Sequence, residues 1–162
     1  MYQSYPTSGQ PQEPERMPPP QTIQNAVKLM YAGAALSGVG LVINLVTIGS
    51  LKSAIKAADP RFTTTQVHAA ETVAIAGAVV GGLIAIGLWL WMASANGRGR
   101  SWARIVATVL FAINTLDLLA TVTRPHAATG LIFSLLIWLV GLGATVLIWN
   151  RESGAFYNQQ MA

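Results

Sequence analysis

Four long stretches of the chain lack the polar spacing of a surface helix. "AVKLMYAGAALSGVGLVINLVTIGSL" is apolar from about Val27 to Leu51, and "AAETVAIAGAVVGGLIAIGLWLWMA" from about Glu71 to Ala93. A third stretch runs from about Trp102 to Val122 and a fourth from about Ala128 to Trp149. Each holds roughly 20 residues or more, which at ~1.5 Å per residue crosses a ~30 Å hydrocarbon core. A helical hairpin buried in a water-soluble protein would show polar faces at a spacing of about 3.6 residues. The pattern instead predicts an all-α integral membrane protein, an up-down bundle of four transmembrane helices at about 27–51, 71–93, 102–122 and 128–149.

The segments between and around these runs complete the organisation. Residues 1–22, "MYQSYPTSGQPQEPERMPPPQT", carry no apolar periodicity and predict a disordered Pro/Gln-rich tail. No basic start followed by an apolar run marks it as a secretory signal. Pro18, Pro19 and Pro20 favour a short polyproline II rod, and Tyr2, Ser4, Tyr5 and Thr7 are candidate modification sites. Residues 23–152 form the transmembrane domain, and 153–162 a short C-terminal tail. The links "SANGRGRS" and "TRPHA" are short enough to force antiparallel neighbours. In the longer link, Lys52 to His68, Asp59-Pro60 breaks a helical extension, and the Thr63-Thr64-Thr65 run offers an N-cap for "QVHAAETV".

Composition supports lipid as the solvent. Charged residues make up 10% of the chain and apolar residues 52%, against about 25% charged in soluble domains. The net charge of +4 sits in short clusters between the apolar runs, with no basic face interleaved with aromatics, so nucleic-acid binding is not expected. With no cysteine, disulfides, thiol nucleophiles and Cys-ligated metals are excluded. Placing both termini in the cytoplasm puts Arg16, Lys28, Arg98, Arg100, Arg104 and Arg151 inside, and Lys52, Lys56, Arg61 and Arg124 outside. The dense "NGRGRSWAR" turn is the strongest vote for that topology in the cytoplasmic membrane, and Trp89, Trp91, Trp102 and Trp149 fall at the same face.

Candidate chemistry is sparse. Asp117 lies in "FAINTLDLLATV", about five residues or roughly 7.5 Å beyond the middle of the third helix. A charge at that depth costs roughly 2.5–3.5 kcal/mol on insertion scales, so it should face the bundle interior and find a partner. Asn44 of the first helix, Asn114 one turn before Asp117, and Ser134 of the fourth helix fall at similar depth. These four residues can form one polar layer, with Asn44 or Arg124 partnering Asp117. Such a layer reads either as a site for an ion or small ligand or as a hydrogen-bonded lock on helix register. Gly77, Gly81 and Ala85 form a small-residue stripe suited to a homo-oligomer or a membrane-protein partner, with Ala74, Ala78 and Gly82 on an adjoining stripe. His68, Glu71 and His126 fall short of a metal site, and no cofactor is implied. No phosphate-cradling Gly loop, HExxH, GxSxG or pair of intramembrane acids points to an enzyme.

With "VKLMYAGAALS", "ADPRFTTTQVHAA", "NGRGRSWARIVATVLFAINTL" and "LLIWLVGLGATVLIWNRESGAFY" assembled, the chain resembles an uncharacterised group of small four-span integral membrane proteins of actinobacterial type. The resemblance spans nearly everything after the leader. It implies a cytoplasmic-membrane location and four helices, and no activity. The expectation is a non-enzymatic accessory or interaction subunit. The alternative is a small transporter or channel component using the polar layer around Asp117.

Overall fold

The computed structural model describes residues 18–47, 53, 55–57, 60–123 and 128–159. Expectations for the leader before Pro18, for Arg124, for His126 and for the last three residues lie outside the described residues. The elements are α1 (Gln21–Thr47), α2 (Thr64–Gly97), α3 (Ser101–Val122), α4 (Ala128–Ile148) and α5 (Arg151–Gln159). The fold is all-α, and four helices are long and apolar enough to cross a membrane.

Local chemistry explains the helix ends. Thr63 caps α2 in a capping box: its hydroxyl accepts from the Gln66 N–H, and its own N–H donates to the Gln66 side chain. α2 therefore starts seven residues before the apolar run at Glu71. At 34 residues it is about 51 Å long and projects beyond a ~30 Å hydrocarbon core. Its other end closes in a Schellman turn, with Gly99 N–H donating to the Asn96 carbonyl and Arg100 N–H to that of Ala95. Gly99 sits at φ 68°, which a side chain would strain.

Close contacts at glycine set the order of the helices. A Cβ on Gly33 of α1 would stand 2.7–2.9 Å from the Trp89 indole of α2, and one on Gly82 of α2 would stand 3.0 Å from Leu41 of α1. Gly143 of α4 faces Leu29 of α1, and Gly141 of α4 faces Phe111 of α3, each at 3.1 Å. Large side chains thus enter notches in the sequence α2–α1–α4–α3. The close pairs are α1 with α2, α1 with α4, and α3 with α4. Between α2 and α3 contact is slight, although a short turn joins them. The expected up-down order of neighbours stands, and the closeness differs: α3 packs on α4, whereas α2 and α3 meet near their turn, through Trp91 and Trp102, and part beyond it. Of the α2 glycines, Gly82 meets α1, and none meets α3, so no small-residue contact draws α3 close along its length.

The buried core is concentrated at one end. Ile23, Ala26 and Met30 of α1, Met92, Ala93 and Ala95 of α2, Ala103 of α3, and Ala144 and Ile148 of α4 meet there. Phe156 and Tyr157 of α5 complete the cluster. Residues 153–159 are therefore a helical plug docked on the bundle, where the sequence pattern suggested only a short tail. At the other end, large apolar side chains such as Val46, Val73, Leu116 and Ile132 point outward, as helices facing acyl chains require.

Candidate functional site

α3 carries two different faces. Toward α4 it presents Arg104, Thr108, Phe111 and Thr115. Trp149 Nε1 donates to Thr108 Oγ1 at 2.9 Å, and Trp138 Nε1 donates to Thr115 Oγ1 at 3.0 Å. The Phe111 and Trp138 rings lie 5.7 Å apart. Each threonine also donates to the carbonyl one turn back, so these hydroxyls are satisfied within the apolar layer. The adjoining face carries Ala107, Leu110, Asn114 and Asp117, spaced three or four residues apart, and turns toward α2.

Because α2 and α3 part, that second face lines a cleft of about 340 Å³. Ala85, Leu88, Trp89 and Met92 of α2 form the opposite wall. Gly141, Ala144 and Thr145 of α4, with Met30 of α1, form the floor. Thr145 donates to the Gly141 carbonyl at 2.8 Å, and among the described residues the side chains of Asn114 and Asp117 and the Trp89 indole N–H have no hydrogen-bond partner. Asn114 is half-buried, and Asp117 is exposed at the mouth.

The polar layer expected from the sequence divides. Asn114 and Asp117 lie together in the cleft. Asn44 is exposed on α1 and Ser134 half-buried on α4, and neither lines it. Matching depth does not join Asn44 to Asp117, because α1 and α3 are not packed neighbours in the order α2–α1–α4–α3. Among the described residues no hydrogen bond or ion pair reaches Asp117. The small-residue stripes also separate. Gly82 meets α1, whereas a Cβ on Gly77 or Gly81 would meet nothing within 4 Å, and Ala85 lines the cleft. His68 Nδ1 stands 3.6 Å from Glu71, an i, i+3 pair on α2. Among the described residues no three His, Cys, Asp or Glu side chains gather around a metal position.

A second polar cluster, not anticipated from the sequence, seals the termini end. The Tyr157 hydroxyl donates to Asn96 Oδ1 at 2.8 Å, and Asn96 Nδ2 donates to the Met92 carbonyl at 2.9 Å. Both residues are almost wholly buried. The Ser153 hydroxyl donates to the Leu147 carbonyl at 2.7 Å and lies 3.0 Å from Thr22 Oγ1, tying α5 to the start of α1. The Arg104 guanidinium lies 4.0 Å from the Trp149 ring centre and 5.8 Å from that of Tyr157, a cation–π arrangement. The legible signal was Ser153, Phe156 and Tyr157 at i, i+3 and i+4.

Burial pushes the Tyr157 phenol up to about 12 from 10.0, with Arg104 pulling the other way. A neutral phenol is thus favoured by folding. Its contribution is complete below pH 10.0 and is lost as pH rises through about 12. An ultraviolet titration should show one tyrosine still protonated where exposed tyrosines have ionised. Tyr157→Phe should remove that late step, and a late step unchanged in the variant would contradict the assignment.

No family model matches the chain, and comparison with curated proteins and with solved structures finds no similar protein.

Proposed function

We propose that this chain is a non-enzymatic integral membrane protein, an accessory or interaction subunit of the cytoplasmic membrane. The observation that carries the proposal is an unpacked helix face: Gly77 and Gly81 of α2 meet no neighbour within 4 Å. Small residues let backbones approach closely and are what a further helix in lipid would use. Gly77, Gly81 and Ala85 are accordingly the proposed contact for a second copy or another membrane protein. Both termini and the α2–α3 turn are assigned to the cytoplasmic side. Arg98 and Arg100 in the turn, with Arg104 and Arg151, support that assignment. The Trp91 and Trp102 rings, 5.3 Å apart at the same end, suit an interfacial belt.

The natural absence of cysteine makes the contact testable by single substitutions. Gly81→Cys is expected to cross-link in native membranes, and Val109→Cys on the outward face of α3 to do so weakly or not at all. Equal yields from the two positions would remove the interface.

The cleft favours a second reading, a small transporter or channel component working through Asp117. Asp117→Asn is then expected to abolish proton- or cation-linked flux in liposomes. A wild-type protein that carries no flux ends that reading.

A further inference from the structure

We propose that the cleft between α2 and α3 binds an amphiphilic organic cation, with its positive head at Asp117 and Asn114 and its apolar body between the two helices. The inference deepens the second reading by naming the ligand class, and it stands whether or not the ligand is moved across the membrane.

Shape comes first. The cleft volume of about 340 Å³ is that of a small-molecule site, at the lower end of the ~300–1,000 Å³ range. Its walls are Leu88, Trp89, Leu110 and Phe111, and Asn114 and Asp117, without a partner among the described residues, put the acceptor oxygens on one wall. A site with apolar walls and a few convergent polar groups takes an amphiphile. The exposed Ile113 at the edge of the cleft suits an amphiphile that partitions into the bilayer.

Charge then selects the head group. Asp117 has no counter-ion among the described residues. A bare Ca²⁺ is a poor fit, because one carboxylate and one amide fall well short of the about six to eight oxygens it takes, and walls this apolar supply no others. An ammonium or quaternary ammonium head needs no such cage. It is satisfied by one carboxylate and an amide oxygen, while Trp89 and Phe111, deeper in the cleft, line the part that takes the apolar body. A second copy of this chain is a poor occupant. Its sequence has no Lys or Arg between Lys28 and Lys52, between Arg61 and Arg98, between Arg104 and Arg124, or between Arg124 and Arg151. Apart from Arg124, at the end of the third span, no membrane-buried part of it carries a positive charge.

The test uses the full chain in phosphatidylcholine nanodiscs, with dodecyltrimethylammonium as the probe and dodecanol as its uncharged counterpart. Binding is read from quenching of tryptophan fluorescence, to which Trp89 contributes. Saturable binding of the cation is expected, with dodecanol much weaker. Asp117→Asn, nearly unchanged in size, should weaken cation binding by at least about tenfold, as loss of a charge-assisted contact implies. Asp117→Glu should retain it. Ala107→Phe, on the cleft wall, should weaken it by filling space, with the late Tyr157 titration step reporting an intact fold. Equal binding of both probes, or wild-type binding by Asp117→Asn, overturns the proposal. So does a different protein found cross-linked at an Ile113→Cys cleft position in native membranes. Binding without flux would retire the transport reading and leave this one standing.

Discussion

Replacing Tyr157 by alanine is expected to release α5 from the bundle and destabilise the fold by about 3–5 kcal/mol, the range for deleting a buried aromatic side chain. Tyr157 is 1% exposed and is the largest fully buried side chain among the described residues. Its removal opens a cavity among Ile23, Met92 and Ile148, and it strips Asn96 of its donor. An amide oxygen left unpaired in a buried site adds about 1–3 kcal/mol by itself. Tyr157→Phe isolates that second part, because it keeps the ring and deletes only the hydroxyl. The measurement is reversible unfolding in mixed micelles, paired with limited trypsin digestion at Arg151. The alanine variant should lose its C-terminal segment rapidly and the phenylalanine variant slowly. Equal resistance of all three proteins would show that α5 is not a docked element.

Gly33→Ala is expected to be the most damaging small change within the membrane-spanning helices. A methyl group there would lie 2.7–2.9 Å from three ring atoms of Trp89, and an indole cannot bend away as the tip of a flexible chain can. Overpacking of this kind costs about 1–3 kcal/mol. The cost here falls on the contact between α1 and α2, the most extensive in the bundle. Gly81→Ala is the matched comparison. It makes the same chemical change in a helix, meets nothing within 4 Å, and should be neutral or stabilising by up to about 1 kcal/mol through helix propensity. Thermal unfolding of the two variants in one lipid mixture gives the comparison. Equal losses would contradict the packing order α2–α1–α4–α3.

The spans were legible in the sequence because a bilayer imposes a length and a composition on any helix that crosses it. The start of α2 was legible because Thr63 and Gln66 carry their capping chemistry locally. Neighbour relations were not, because depth along a helix says nothing about rotation around it. Asn44 and Asp117 match in depth and sit on helices that do not pack together. Asn114 and Asp117 share a face because three-residue spacing on one helix fixes both coordinates. The docking of α5 was hidden for another reason. Its partners, Asn96 and Thr22, lie far away in the sequence, and nine residues with a single apolar pair resemble an ordinary polar tail.

The central claim is that four helices cross the bilayer and bring the α2–α3 turn and α5 to one face. Labelling of single cysteines at Gly99, Glu152 and Pro60 in sealed vesicles with a membrane-impermeant maleimide tests it most directly. The first two positions are expected to react from the same side and Pro60 only from the opposite side. Reaction of Pro60 together with Gly99, or of Gly99 and Glu152 from opposite sides, would contradict it.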